Sequence, residues 1–494
     1  MGKLRFPIIC QRIAPFLAVG VLLGPADAGA QALSLDSAID TALKRSSRGA
    51  IIREKKDIAE SNYRAKRINF YVPLLTINGA LPSYNVDQSY KFFGASFRRQ
   101  LYKTSDFGLN SYFKLQQSLL TGGNLSMTAN LTSTRNRYPD TDPTAPLGSF
   151  LNERGEQGYF DFRLVQPILK PSNAKNELND RHDDFDLSRL TMMEEETGLE
   201  KEVTEAYIGL LQGEIEDSLE AVKLDAAGIK AETDSVKWQD GVITAEARLA
   251  TASAKLDSEL ARREAADKLS EQERALALLL DYPVDGRIEV EEPRIVGHPT
   301  PEELARMTRD WEKSVAVRKA VCNQLRAKRT ASYAAAGHGL TGDLTAGYSA
   351  GRGKIRYQNS PDNNINTNGW GVSLNLSYPI WDGGAASAAA QAARSEANRA
   401  ELELAKAKQT AQADVTRLAN QVDVGYKRLG IMASQIAIAK EKRAIARERY
   451  DDGRISRYEL LQSEADWLDA RDKYLEELKT YLGNRILLAG SFTE

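Results

Sequence analysis

Three histidines, two cysteines and scattered carboxylates are the chain's whole stock for acid–base, nucleophilic or metal chemistry. His182, His298 and His338 share no metal-ligand spacing, and six methionines do not suit a copper or silver pathway. Cys322 stands alone in a helical pattern, where a single thiol most simply packs. No Ser/His/Asp or Cys/His set, phosphate-binding glycine loop or carboxylate pair stands in a catalytic context, so the reading is of a non-enzyme without cofactors or metal. The informative residues are instead glycines, prolines and their capping neighbours. Tyr378-Pro379-Ile380-Trp381-Asp382-Gly383-Gly384 divides an alternating pattern from a helical one. Asp240-Gly241-Val242-Ile243-Thr244 and Asp452-Gly453-Arg454-Ile455-Ser456 each interrupt a long helical run, with glycine free to take positive φ and Thr244 or Ser456 placed to cap the returning helix. Glu459 follows the second break and by spacing alone reads as a solvated helix residue.

The elements that carry these residues follow from periodicity. Leu35–Phe70 predicts one helix, stopped by Pro73. Strands are predicted at Leu75–Leu81, Phe107–Leu115, Leu125–Leu131 and Phe160–Leu164, where apolar and polar residues alternate. Thr121-Gly122-Gly123 makes one tight turn, while about Asn85–Asp106 and Asn136–Gln157 read as long polar loops. Ala174 to about Leu280 is helical around Gly241, and a proline-rich linker leads to a helix over Glu302–Ala336. A strand at Leu340–Ala350, a polar loop over Gly351–Asn368 and a strand at Trp370–Tyr378 precede the last helical stretch, which breaks at Gly453.

The chain is written twice. Pro167 to Gly241 spans 74 positions, as does Pro379 to Gly453, so Gln166-Pro167-Ile168-Leu169 is the partner of the Tyr378–Gly384 joint at an offset of 212. The first helices align at an offset of 266, with Ala38 on Leu304 and Ala65 on Ala331. The 54-residue difference is an extra hairpin in the first copy, which either joins the sheet or packs elsewhere; the reading favours joining it. The organisation expected is a leader over 1–30, repeat one over 31–282, a linker over 283–300 and repeat two over 301–494.

Ala385 to Asp452 would make a helix about 100 Å long at 1.5 Å per residue. Val415, Leu418, Val422, Gly425, Leu429, Met432, Ile436 and Ala439 step along it by threes and fours, a seam for coiled-coil packing. Lys3, Arg5 and Arg12 flank an apolar run, Ile13–Gly24, that precedes small-residue cut points at Ala28, Ala30 and Ala32, the pattern of a secretory leader enclosing Cys10. Net charge of −2 argues against nucleic acid as a partner. Short turns at one end of the strands and long loops at the other suit an outer-membrane barrel, yet so few strands close no barrel alone, so copies must share one. A structural coiled-coil envelope protein without a pore is the alternative; a diffusion porin is disfavoured because most of the length is helical.

These features together resemble the TolC family of outer-membrane efflux proteins. The leader, the duplication, Tyr378–Gly384, Gly453-x-x-Ser456 before Glu459-Leu460-Leu461, and the opening Leu33-Ser34-Leu35-Asp36-Ser37-Ala38-Ile39 carry the likeness over the mature chain. The resemblance implies an α+β membrane protein: a trimeric β-barrel, four or more strands per protomer, continuing into an antiparallel α-helical tunnel. It implies a homotrimer in the outer membrane lipid of a Gram-negative bacterium, its helices in the periplasm. Its partners would be a periplasmic adaptor and an inner-membrane pump of RND, ABC or MFS type, in tripartite efflux or type I secretion. Asp240, Gly241, Thr244, Asp452, Gly453 and Ser456 would meet the adaptor, and Glu459, Gln462 and Tyr450 would form the periplasmic aperture. Ala247 replaces the acidic latch partner of Tyr450, with Glu246 beside it. Pro167, Pro379, Gly383 and Gly384 would join barrel to tunnel, although Leu169-Lys170-Pro171-Ser172 departs from Trp381-Asp382-Gly383-Gly384.

Overall fold

The computed structural model describes residues 33–79, 82–93, 98–119, 121–140, 149–169, 172–284, 288–293, 297–336, 339–358 and 361–492. The expected leader, with Cys10 and its cut points, lies outside them, as do Lys170, Pro171 and His338. Helices α1 (Leu35–Lys44) and α2 (Ser47–Tyr71) lead into strands β1 (Leu74–Gly79), β2 (Ser83–Phe93), β3 (Arg98–Ser118), β4 (Asn124–Pro139) and β5 (Phe150–Pro167). Helices α3 (Asn173–Gln239) and α4 (Ala245–Leu280) form a long hairpin. Then come α5 (Pro301–Arg309), a single 3-10 turn (Trp311–Lys313), α6 (Val315–Ala336), β6 (Thr341–Tyr357), β7 (Asn363–Ser377) and a second long hairpin, α7 (Ala385–Asp451) and α8 (Arg457–Gly490).

All strands lie in one antiparallel sheet ordered β1-β3-β4-β5-β6-β7. β1 and β2 pair with successive stretches of β3, so they act as one interrupted strand, and the extra hairpin of the first half is part of the sheet. The two faces separate by residue type. Leu75, Leu115, Met127, Phe162, Tyr348 and Trp370 form a row across β1, β3, β4, β5, β6 and β7. One residue along, on the other face, the row reads Thr76, Lys114, Thr128, Asp161, Ser349 and Gly369. The apolar face lies bare in the single chain, with Trp370 81% exposed.

Three predicted boundaries are corrected. The helix expected over Leu35–Phe70 breaks between α1 and α2. Ser46 bonds back to the Ala42 carbonyl and its hydroxyl accepts the Gly49 N–H at 3.0 Å, starting a new helix there. Gly49 is obligatory at this corner, because a Cβ would fall 2.4 Å from the Leu43 carbonyl oxygen. The helix expected over Glu302–Ala336 is likewise split by the 3-10 turn at Trp311–Lys313. The stretches taken as long loops, Asn85–Asp106, Asn136–Gln157 and Gly351–Asn368, are largely strand. Their polar residues continue the ladders of the apolar stretches, satisfying each other's backbone groups beyond the apolar rows.

The core sits midway along the helices rather than under the sheet. Leu199, Val203, Tyr207, Ile208 and Leu211 of α3 are buried with Leu276 and Leu280 of α4, Val422 and Leu429 of α7, and Leu475, Leu478 and Tyr481 of α8. α1 and the linker close around this girdle. Leu33 forms a parallel bridge with Val290, and the Tyr207 hydroxyl lies 2.6 Å from the Leu33 carbonyl and accepts the Glu291 N–H at 3.0 Å. Burial pushes the Tyr207 phenol up to about 12, so it stays a neutral clasp.

His298 fastens the linker to the second hairpin. Its ring stacks on Tyr426 with centroids 4.0 Å apart, and Nδ1 lies 3.3 Å from the Tyr481 hydroxyl. Burial lowers its pKa from the ordinary 6.5, so protonation opposes folding. Stability is therefore full above 6.5 and falls as pH drops through the lowered value. The expected outcome is a thermal midpoint, followed by circular dichroism, that declines as pH is lowered below 6.5, with a shallower decline in His298→Phe.

Candidate functional site

The functional candidates fall at two levels, the junction of sheet and helices and the far end of the helical hairpins. At the junction, Pro167 ends β5 opposite Asp343, and Ser377 ends β7 opposite Thr341. Both strands flank β6, so the chain leaves the sheet twice at the same end of β6. After β7, Pro379 and Ile380 run free of the ladder, and Trp381 is 88% exposed. Gly383 and Gly384 hold φ of 68° and 85°, a left-handed pair that side chains resist. Asp382 completes the turn, its carboxylate accepting the N–H groups of Gly384 and Ala386 at 2.8 Å each, which places negative charge at the positive end of α7.

The first junction solves the same problem differently. Ser172 caps α3 by accepting the Lys175 N–H at 3.1 Å. The β3–β4 turn abuts this cap: a Cβ on Gly122, whose φ is 90°, would meet the Ser172 Cβ at 2.6 Å.

α3 and α7 each run 67 residues from these junctions, about 100 Å. The turns that end them are built alike. Gly241 and Gly453 take φ of 72° and 71°. The Gly241 N–H bonds the Trp238 carbonyl at 3.0 Å, and the Gly453 N–H bonds the Tyr450 carbonyl at 2.9 Å. Val242 and Arg454 donate to the carbonyls of Lys237 and Arg449 at 2.8 Å. Asp240 and Asp452 end the descending helices, and Thr244 and Ser456 cap the returning ones with the same φ of −76° and ψ of 157°.

One difference separates the turns. Glu459 folds back on its own helix start, its carboxylate accepting the Ser456 N–H at 2.8 Å and the Ser456 hydroxyl at 3.0 Å, a complete capping box. These bonds hold its pKa below the ordinary 4.5. Ala247 stands at the matching position of the first turn, its N–H donated to Thr244 at 3.2 Å, with no carboxylate to reply. Gln462 is exposed one turn beyond Glu459, and Tyr450 is partly exposed at the end of α7. The structure thus gathers Ser456 and Glu459 into one contact and leaves Gln462 and Tyr450 separate from it.

A pair near the first turn was not read from the sequence. The Arg248 guanidinium sits over the Trp238 ring, 4.3 Å from its centroid. Trp238 occupies the position of Tyr450 under the 212-residue offset, which was the available signal. Among the described residues no cluster of His, Cys, Asp and Glu could hold a metal ion, and no helix is long and apolar enough to cross a membrane.

With this geometry in view, the chain can be set beside known proteins. The sequence profile of the outer membrane efflux protein family matches residues 315–490. Residues 315–490, about a third of the chain, are thus similar to outer membrane efflux proteins. No curated protein matches the sequence. The fold of the whole chain is similar to that of a membrane protein from Pseudomonas aeruginosa, at 15% identity and a TM-score of 0.57 over 93% of this chain and 90% of that one. It is similar to the Campylobacter jejuni CmeC outer membrane channel, at 12% identity and 0.57, over 93% and 85% of the two chains. The open Neisseria gonorrhoeae MtrE outer membrane channel is similar at 16% identity and 0.57, over 93% and 88%. The matched stretch spans α6 to α8 and so contains the second junction and the second turn.

The cap at the second turn gives a direct check. Ser456→Ala should cost about 1 kcal/mol and speed hydrogen exchange in the first turn of α8, while Thr244→Ala does the same for α4. Glu459's share of this stability is present above 4.5 and lost as pH falls through its lowered pKa, so exchange in α8 should quicken there more than in α4.

Proposed function

We propose that the chain is one protomer of a homotrimeric outer-membrane efflux channel, a passive exit duct across periplasm and outer membrane. The observation that carries this is the open sheet. Its face of Leu75, Leu115, Met127, Phe162, Tyr348 and Trp370 suits lipid, its other face is polar, and among the described residues β7 and the β1/β2 strand are paired on one side only. Lipid does not satisfy free N–H and C=O groups, so the edges must meet other copies. Three copies of a sheet six strands wide would close a barrel of about eighteen strands, in the range that leaves an aqueous lumen.

In this reading the internal duplication gives each protomer two hairpins, so that three copies wall a tunnel with six. The turns at Asp240–Thr244 and Asp452–Ser456 are the adaptor-contacting ends, with Glu459, Gln462 and Tyr450 at the periplasmic aperture. Pro167, Pro379, Gly383 and Gly384 mark the passage from barrel to tunnel. An inner-membrane pump, through the adaptor, supplies the energy in tripartite efflux or type I secretion. The alternative, a structural envelope rod, gives no use for a bare apolar sheet face.

Two experiments test this. Purified protein in a planar bilayer should give stable, stepwise conductance, whereas a structural rod gives none. Val372→Arg, on the apolar face, should weaken assembly by about 2–4 kcal/mol, seen as loss of the trimer band on a semi-native gel. Ser373→Arg, on the polar face, should assemble and change conductance only.

A further inference from the structure

The apolar rows stop part-way up the sheet, and what replaces them on the same face is arginine. Arg135 of β4 pairs across the ladder with Arg154 of β5, which pairs with Arg356 of β6. Three like charges directly opposite one another on adjacent strands repel. Arg137 flanks this row on one side, and Arg352 and Lys354 on the other. Two acids answer these six cations: Glu156 lies 2.6 Å from Arg154, and Asp362 lies 2.6 Å from Lys354 and 4.0 Å from Arg356. Arg137 rests over the Phe150 ring at 4.3 Å, and Arg135 has no ion-pair partner among the described residues. Arg135, Arg137, Arg154 and Arg356 line a cleft of about 520 Å³ with Tyr84, Asn152 and Gln358, and Glu153 is the one carboxylate in that lining.

Position says what fills the cleft. Arg154 precedes Gln166, at the base of the sheet, by twelve residues. At about 3.3 Å per residue and a strand tilt near 40°, that is a height of about 30 Å, the thickness of the hydrocarbon layer. Charge on this face already begins at Arg352, Glu156 and Lys354, between the row and the apolar rows, so the apolar band ends below the row and the row lies in the head-group layer beyond it, facing outward. We propose that the Arg135–Arg154–Arg356 row, with Arg137, binds the phosphate groups of an anionic lipid head group in the outer leaflet. Guanidinium forks match phosphate oxygens two by two, and the bound anion relieves the repulsion along the row. The inference rests on the sheet being a membrane barrel wall.

The test compares the full-length assembly with an Arg135→Gln, Arg154→Gln, Arg356→Gln variant, each in nanodiscs of phosphatidylethanolamine with phosphorylated outer-leaflet glycolipid or its phosphatase-treated form. Lipid retained per assembly is counted by native mass spectrometry. The wild type should retain the phosphorylated glycolipid at least about fivefold over the treated form, and the variant should show no preference; Arg163→Gln, on the polar face, should keep it. In lipid-free detergent the variant should melt no lower than the wild type, since it loses a repulsive row. Equal retention of both glycolipids by the wild type overturns the proposal, as does a variant that keeps the preference or melts lower without lipid. Inorganic phosphate added in lipid-free detergent should not raise the melting temperature of the wild type; if it does so for the wild type and not the variant, a free anion site replaces the lipid one and the proposal fails. Conductance with no lipid preference would leave the duct standing, while absence of conductance would remove the duct itself.

Discussion

The backbone groups left open along β7 and the β1/β2 strand set the terms for everything else in this structure. A sheet six strands wide, apolar on one face and polar on the other, meets no requirement of a soluble core: among the described residues its apolar side is largely exposed, and only the end of α2 touches β3. Under the proposed function the face lies in lipid, where open edges cost several kcal/mol per group and closure with further copies removes that cost. On that proposal the chain is a sector of a wall, and its hydrophobic core lies elsewhere, in the girdle around α3, α4, α7 and α8.

The helices meet a different constraint. Hairpins about 100 Å long cannot be held by a compact core, so they rely on seams. Val415, Leu418, Val422, Gly425 and Leu429 are buried, and the stripe continues through Met432, Ile436 and Ala439 with partial cover toward the turn. Short α1 and α5, the Tyr207 clasp and the His298 stack bind the middle of the hairpins together. Burial is thinner toward the turns, where glycine geometry and caps define the shape instead. This grading leaves the far ends freest to change packing while the girdle stays fixed.

Much of this was legible in the sequence where a single residue type is forced. Gly241, Gly453, Gly383 and Gly384 all hold positive φ, and only glycine takes that cheaply, so their spacing showed the junctions and turns. Strand cores were legible from alternation, since one face is apolar. Strand ends were not: beyond the apolar rows both faces are polar, period two vanishes, and Gly351–Asn368 reads as a loop although it continues β6 and β7. The break at Ser46 was missed because α1 and α2 keep one helical rhythm across it, and only the Ser46–Gly49 corner betrays it. Of the site, the paired turns were legible, whereas the turning of Glu459 onto Ser456 and the Arg248–Trp238 stack depend on side-chain directions that spacing does not set.

The central claim is that the open edges pair between copies. In a Cys322→Ala background, cysteines introduced one at a time along β7 at Asn375, Ser373 and Gly371 and combined with cysteines along β1 at Thr76 and Asn78 would be oxidised in the membrane. At the matching register the account gives disulfide-linked dimers and trimers on a non-reducing gel. Monomer alone at every register, with the same cysteines reactive toward a small thiol reagent, would contradict it.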